Sequence, residues 1–423
     1  MASSSSILTS PKQKNSPSID AVLGSDDLTT EILLRVPPKA VLGFKLVSKK
    51  WLSIISKTSF ATRHTLLNPH TISALLLRVS FFFKELPTHK YVSLDVDGRS
   101  LAYFSHDFLD FDPTNNPGCI CISQSCNGLL LCSKCRWHLP ERFQPINYIF
   151  NPTTRQFAML PPPPDDGQFF DSIQLVFDPS ESSCYRVVCT QFFTSELKIY
   201  VFSSETKDWK LCVSQENFEY LPINFTDGVS WNDAVHWISP MGNGFSFLLD
   251  KECLETIPRP PLPENWQEQN FRYFGESGGH LYFIGVLEGN QSPDDLNKGI
   301  VSPAMSHDQI PDQSIVVYTM ERGFSKWFVK YCLHVKAFVM AYPEITEDED
   351  LAASPFSAEK GSVRLLSFID GDNDERPLLV MEILGEIISY CFKDKTFKKI
   401  LRLPFKHANC CAFNYSETLS FIG

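Results

Sequence analysis

Apolar residues recur with a helical period shortly after the first twenty-odd residues. Leu28, Ile32 and Val36 are spaced by four residues and Leu33 lies beside them, so together they form one apolar stripe on a short helix. Two aspartates open this segment, at the positive end of a helix where carboxylates are favoured. Pro37-Pro38 then ends the helix, because neither residue can donate the next backbone hydrogen bond.

Two further short helices are predicted downstream. Their apolar residues are Val41, Leu42, Phe44 and Leu46 in the second, and Trp51, Leu52 and Ile55 in the third, for which Ser48 is a suitable N-cap. Three helices in about thirty residues have too little interior to bury all of these side chains. Two interpretations follow: the exposed stripe binds a partner, or the helices pack against the rest of the chain.

Beyond about residue 70 a different pattern repeats. A short apolar strand is followed by a polar turn and by a second strand with an aromatic or bulky apolar residue, often with proline after it. Five copies begin at Tyr148, Lys198, Ser246, Ile315 and Ile387, at intervals of 50, 48, 69 and 72 residues.

The two long intervals each contain a polar insertion, one at 287–314 and one at 344–361. Without the insertions the period is about 45–50 residues, the length of a four-stranded propeller blade. The pattern therefore predicts a β-propeller of six to eight blades. Spacing does not show whether the C-terminal segment from Cys410 closes the ring, or whether the region 75–111 supplies closing strands.

Composition narrows the classes of function. The chain of 423 residues has a net charge of −11 and 13 cysteines. Its acidity disfavours a general nucleic-acid-binding surface, and the lack of a long apolar run disfavours a membrane span. The N-terminal residues contain no apolar signal segment, so we expect reduced thiols and a location in the nucleus or cytoplasm. We expect residues 1–22, rich in Ser, Pro and Lys, to be disordered.

Candidate chemistry is sparse. Cys126, Cys132, Cys135 and His138 have spacing compatible with zinc, but no second CxxC pair completes a common zinc module. We therefore favour partly exposed reduced thiols in a loop, with Cys126 a buried strand residue, and predict no metal and no cofactor. The acidic run at 344–350 lacks the glycine and spacing of a calcium loop. With no recognisable catalytic motif, we predict that the chain is not an enzyme.

The helical segment at 23–68 resembles the F-box. The shared elements are an acidic-Leu start at Asp26-Asp27-Leu28, then Glu31-Ile32-Leu33, the break at Val36-Pro37, and Lys49-Lys50-Trp51 near the end. The Leu-Pro pair that usually opens the motif reads Gly24-Ser25 here. The resemblance implies three helices that bind a Skp-family adaptor, which joins them to cullin and RING subunits.

The resemblance and the apolar stripe together predict which residues contact the adaptor. These are Leu28, Ile32, Leu33, Val36, Pro37, Leu42, Phe44, Val47, Trp51 and Ile55. Six Lys/Arg against three Asp/Glu lie between positions 26 and 57. A basic surface of this kind favours association with an acidic adaptor.

The segment SCNGLLLCSKC from Ser125, with the repeat from Tyr148, resembles the opening of plant F-box-associated domains, and Gly278-Gly279 is similar to a kelch signature. The resemblance implies a mainly β chain with a small all-α N-terminal module: an F-box followed by a kelch-like propeller over residues 69–423. It further implies a substrate-recruiting subunit of a Skp-cullin-F-box ubiquitin ligase, with a target protein that the sequence does not identify. The alternative is a propeller interaction protein that acts independently of the ligase.

Overall fold

The computed structural model describes most of the chain. The described residues are 24–68, 72–80, 87–94, 119–135, 145–164, 170–218, 223–302, 312–321, 326–343, 363–370, 376–403 and 409–422. The chain divides into two compact units, Met1–Pro69 and His70–Gly423. The first is helical where it is described, and the second consists mainly of β-strands.

The described residues of the helical unit form four short helices. They are α1 (Asp26–Leu33), α2 (Pro38–Phe44), α3 (Lys49–Ile55) and α4 (Thr58–Leu67). The Oγ atom of Ser25 caps α1 by accepting a hydrogen bond from the Leu28 amide at 3.3 Å, and Ser48 caps α3 in the same way. The fourth helix follows the three that the apolar period predicts. None of the helices in the described part of the chain is long and apolar enough to cross a lipid bilayer.

The β unit contains 23 described strands in six sheets. In chain order β1 (Ala74–Ser80) and β2 (Thr88–Ser93) come first, followed by five groups of four antiparallel strands. Blade I is β3 (Cys119–Cys126), β4 (Leu129–Cys135), β5 (Ile146–Asn151) and β6 (Gln156–Met159). Blade II is β7 (Ser172–Val176), β8 (Arg186–Phe193), β9 (Glu196–Ser203) and β10 (Asp208–Gln215).

The remaining blades follow the same order. Blade III is β11 (Val229–Trp231), β12 (Ala234–Ile238), β13 (Gly244–Leu248) and β14 (Cys253–Ile257). Blade IV is β15 (Phe271–Ser277), β16 (His280–Glu288), β17 (Gln313–Met320) and β18 (Phe328–His334). Blade V is β19 (Val363–Ile369), β20 (Leu378–Ile383), β21 (Glu386–Cys391) and β22 (Thr396–Arg402). The first strand of each blade contacts the first strand of the next, so these strands surround the propeller axis.

The sixth blade joins the two ends of the β unit. Its strand order is β2-β1-β23, where β23 is Asn409–Tyr415 and pairs antiparallel with β1 from Ala74↔Tyr415 to Ser80↔Asn409. The C-terminal segment therefore closes the ring, and β1 and β2 supply closing strands from the N-terminal side. The structure thus has six blades, the lower end of the predicted range.

The apolar core is divided among the interfaces between blades. Each of six buried clusters takes its residues mainly from two neighbouring blades: blade I packs on II, II on III, and so on to the contact of the sixth blade with blade I. This arrangement explains the near-continuous apolar strands, because the middle strands of a propeller blade are covered on both faces.

The repeat found in the sequence corresponds to the third and fourth strands of blades I to V. Its aromatic and proline positions have a shared role in two blades. Trp209 donates its indole N–H to the carbonyl of Pro161 at 3.0 Å, and Trp327 donates to Pro258 at 2.6 Å. In both cases the proline follows the last strand of the preceding blade, so the indole ties two neighbouring blades together.

The insertion at 287–314 covers an edge of blade IV in its described part. It contains helix α5 (Pro293–Asn297), and the side-chain amide of Asn297 donates to the Val329 carbonyl at 2.9 Å and accepts from the Val329 amide at 2.7 Å. Val329 belongs to β18, the outermost strand of its sheet. Covering an outer strand in this way protects it from pairing with other chains. A second helix, α6 (Val335–Ala341), follows β18, and the insertion at 344–361 lies outside the described residues.

Candidate functional site

The structure divides the ten predicted contact residues into three groups by their exposure. Leu28, Ile32 and Val47 are 50%, 52% and 59% exposed, and Pro37 is also exposed. Four more are partly buried: Val36, Leu42, Phe44 and Trp51. Leu33 and Ile55 are buried, so their side chains belong to the core and are not available at the surface.

Helix geometry explains this division. Leu28 and Ile32 are four residues apart on α1 and share one face, whereas Leu33 is turned away by one further residue. Leu33 and the neighbouring Leu34 are almost fully buried. The sequence showed one stripe but did not show which edge of it faces inwards.

Four large exposed apolar residues in the described part of the helical unit were not among the predicted contacts. Leu46 is 91% exposed in the link between α2 and α3, and Leu52 is 45% exposed on α3. Leu66 and Leu67 are 54% and 56% exposed at the end of α4. An apolar residue within the polar link K-L-V-S-K is a signal that the sequence contained. We define the apolar surface of the helical unit as Leu28, Ile32, Leu46, Val47 and Leu52.

An aromatic pair holds the second and third helices together beside this surface. The rings of Phe44 and Trp51 meet edge to face, with their centroids 5.3 Å apart. Both side chains remain partly exposed. They therefore contribute to internal packing and also present part of their rings to the solvent.

Gly24-Ser25 stands where the motif usually has Leu-Pro, and other contacts fix the start of the helix instead. Lys50 on α3 donates from its Nζ atom to the Gly24 carbonyl at 2.8 Å and lies 2.9 Å from the Asp26 carboxylate. With Ser25 as the N-cap, these contacts fix the start of α1 without a proline. The hydrogen bond and the charge of Lys50 also lower the pKa of Asp26.

Ion pairs neutralise part of the negative charge of the helical unit, which still has more basic than acidic side chains. Glu31 contacts Arg63 at 2.7 Å and Arg35 at 3.3 Å, and the hydrogen bond from Arg63 is the main reason that the pKa of Glu31 is lowered. Lys39, Lys49 and other basic side chains are exposed. The net positive charge predicted for this region is thus presented at the surface.

The cysteine group considered for zinc does not form a site in the described residues. Cys126 and Cys132 are both buried and belong to different apolar clusters, since Cys126 packs between blades I and II and Cys132 between the sixth blade and blade I. Burial raises the pKa of both thiols, that of Cys126 to about 12, which disfavours the thiolate that zinc needs. The prediction of partly exposed thiols in a loop was wrong for Cys132, which lies within β4. His138 lies outside the described residues.

Other candidate chemistry is similarly accounted for. Within the described ranges no group of three or more His, Cys, Asp or Glu side chains is arranged to hold a metal ion. His236 is buried, and its ring nitrogens lie 2.7 Å from Ser246 Oγ and 3.0 Å from the Trp231 carbonyl, so it is a packed side chain. The acidic run at 344–350 lies outside the described part of the chain.

Comparisons with known proteins agree with both units. The F-box domain family matches residues 25–63, and the F-box associated beta propeller domain family matches residues 78–270. F-box protein At5g07610 of Arabidopsis thaliana is 31% identical over 410 residues, which cover 91% of this chain and 87% of that protein. Putative F-box protein At3g10240 of the same plant is 28% identical over 198 residues, covering 44% of this chain and 45% of that protein. The chain belongs to the plant F-box proteins that carry an F-box-associated β-propeller domain.

Proposed function

We propose that this protein is the substrate-recruiting subunit of a Skp-cullin-F-box ubiquitin ligase. The observation that carries the proposal is the apolar surface of the helical unit, where five large aliphatic side chains are between 45% and 91% exposed. A cluster of exposed aliphatic side chains on so small a unit is typical of a protein interface. A Skp-family adaptor would cover it and would link the chain to cullin and RING subunits.

The propeller would then hold the target protein. A propeller keeps its strands rigid while its loops vary, which makes it a suitable platform for binding. The chain itself would supply no catalytic group. It would act by proximity, since a bound target has a high effective concentration next to the ubiquitin-loaded conjugating enzyme. We expect the assembly to act in the nucleus, the cytoplasm or both.

Charge supports the same partner. The exposed basic residues around the apolar surface would favour encounter with an acidic adaptor and would make the association rate depend on salt. The ion pair of Lys50 with Asp26 lies at the start of α1, next to Leu28. An adaptor that binds Leu28 would therefore rely on a helix start that this lysine positions.

The test is calorimetric titration of the purified chain with a Skp-family adaptor. Ile32→Asp and Val47→Asp place a charge on the apolar surface, where both side chains are more than half exposed. Because these positions are not in the core, the variants should fold, and each should weaken adaptor binding at least tenfold, about 1.4 kcal/mol. Met340→Asp is the matched control, since Met340 is an exposed apolar residue on α6 of the other unit.

The outcomes separate the two functions considered. Tight binding by the parent and by Met340→Asp, together with weak binding by the two surface variants, supports the ligase function. A folded parent that does not bind any Skp-family adaptor would refute it. In that case the departure at Gly24-Ser25 would have abolished adaptor binding. The protein would then be a propeller interaction protein that acts independently of the ligase.

A further inference from the structure

A cavity of about 510 Å³ lies on the propeller axis. Its walls come from the first strands of several blades, including Gln124 of β3, Gln174 of β7, Phe274 of β15 and Phe413 of β23. The volume is within the range of sites that hold small ligands or single side chains. The cavity lies entirely within the β unit.

Most polar side chains on the wall are used within the propeller. Gln124 donates to the Leu175 carbonyl at 3.0 Å and accepts from the Leu175 amide at 2.6 Å, and Gln174 donates to the Thr226 carbonyl at 3.0 Å. Each of these bonds reaches from one blade to the next. The two glutamines therefore hold the blades together and are not available to orient a ligand.

Glu276 differs from these residues. It lines the cavity near the end of β15, and one of its carboxylate oxygens accepts a hydrogen bond from the Gly279 amide at 2.9 Å. Among the described residues no basic side chain lies within ion-pair distance of this carboxylate. Its exposed surface is small and faces the cavity.

Arg272 also lines this cavity, but the titratable groups whose charges act on Glu276 add no positive charge. They are Cys126 from β3, Asp178 beyond the end of β7, and Tyr273 on β15 itself. Enclosure by the walls, and to a smaller extent the negative charge of Asp178, raise the pKa of Glu276 to about 7. A carboxyl group kept in such surroundings is costly unless a cation compensates it.

Arg272 does not supply that cation. It is four residues from Glu276 along β15, which is about 13 Å in an extended strand. Its guanidinium donates to the carbonyls of Gln269 and Phe271. Asp227, at the cavity wall next to β11, is exposed and adds a second negative charge.

We propose that the axial cavity binds one basic side chain, a lysine or an arginine presented by the recruited protein, with its charge against Glu276. The aromatic wall formed by Phe271, Phe274 and Phe413 would pack against the aliphatic part of that side chain. Glu276 would thereby select for a positively charged group. The identity of the ligand as part of a target protein rests on the proposed function, whereas the cation site itself does not.

Two small probes test the site directly on the full chain. N-butylguanidinium carries the charge and an aliphatic stem, and N-butylurea has nearly the same shape without the charge. We expect N-butylguanidinium to bind the parent at millimolar concentrations by calorimetry or NMR, and N-butylurea to bind at least tenfold more weakly. Binding of the cation should strengthen as the pH rises through about 7, because Glu276 then becomes ionised.

Variants provide the second readout. Glu276→Gln keeps the acceptor for Gly279 and removes the charge, so it should lose at least tenfold in affinity for N-butylguanidinium and should not unfold. Glu288→Gln is the matched control, because Glu288 is an exposed glutamate at the end of the neighbouring strand β16. The proposal is overturned if the two probes bind the parent equally, if neither binds the folded parent, or if Glu276→Gln binds as well as the parent does. No adaptor is present in this assay, so its failure would leave the adaptor-binding result unaffected.

Discussion

Asn151 connects the closure of the propeller ring to blade I. Its side chain is fully buried at the end of β5. It donates to the carbonyls of Thr418 and Ser420 at 3.1 and 2.8 Å, and it accepts from the amides of Thr153 and Thr154 at 2.9 and 3.2 Å. The first two bonds hold the C-terminal segment that follows β23, so Asn151→Ala should loosen the closure of the ring.

The expected loss of stability follows from the burial of the backbone groups that lose their hydrogen bonds with Asn151. Thr418 and Ser420 are buried, so their carbonyls would lose a partner in a place that water reaches poorly, at about 1–3 kcal/mol each. Thr153 and Thr154 are partly exposed, so water would replace much of what their amides lose. The sum is about 3 kcal/mol. For a unit of roughly 350 residues the entropy of unfolding is about 0.7 kcal/mol/K, so the melting temperature should fall by about 4 °C.

The assay combines thermal unfolding with hydrogen exchange. Asn151→Ala should lower the melting temperature and speed amide exchange in residues 409–422 more than in blade III. Asn147→Ala is the control on the same strand. The Asn147 side chain donates at 3.3 Å to the Pro145 carbonyl and accepts at 2.7 Å from Ser133 Oγ, but Asn147 and Ser133 are partly exposed, so water can replace these bonds and the cost should be about 1 kcal/mol. A melting temperature for Asn151→Ala within about 1 °C of the parent, with unchanged exchange at the C-terminus, would refute this account of closure.

Three further variants test burial and packing in the propeller. Burial lowers the pKa of His236 to about 4, whereas the same imidazole in the unfolded chain is protonated near pH 6.5. The free energy of unfolding of the propeller should therefore fall by about 3 kcal/mol as the pH is lowered from 6.5 to 4. Urea unfolding of His236→Gln at the two pH values should show a smaller loss. A Cβ atom at Gly285 would lie 2.1 Å from the ring of Trp266, so Gly285→Ala should destabilise by about 1–3 kcal/mol in urea unfolding and should change the near-UV spectrum. Trp327→Phe removes the indole hydrogen bond to Pro258 and should cost about 1–2 kcal/mol in urea, whereas a variant as stable as the parent would show that this link between blades contributes nothing.

The helical unit was predictable to the extent that its stripe and caps are local features. The structure confirms Ser48 as an N-cap, which is read directly from neighbouring residues. The prediction that Pro37-Pro38 ends the first helix was wrong, because α1 already ends at Leu33, before Val36, and the proline pair instead begins α2. The division of the stripe was not predictable, because Leu28 and Leu33 are equally apolar and differ only in what lies beside them. The role of Lys50 was also out of reach, since it contacts Gly24 across 26 positions of sequence.

The propeller was predictable from its period, and the blade count only as a range. Five blades are continuous in sequence and leave five copies of a hairpin pattern. The sixth blade has no such copy, because β1 and β23 come from opposite ends of the unit and pair across more than 300 residues. Spacing along the chain carries no information about that pairing, so six to eight blades was the narrowest range that the period allowed.

The axial cavity shows why candidate binding residues in this fold escape sequence motifs. Gln124, Gln174 and Glu276 lie on the first strands of three different blades, separated by about 50 and 100 positions, and nothing local distinguishes the glutamate from the two glutamines. The difference appears only once the ring is closed, when each glutamine finds backbone partners on the next blade while Glu276 faces the cavity. The backbone N–H and C=O groups at the edge of a sheet normally form hydrogen bonds with a neighbouring element. A polar side chain on an inner strand that forms no bond to the next blade is therefore a candidate ligand contact. In this propeller Glu276 is such a side chain.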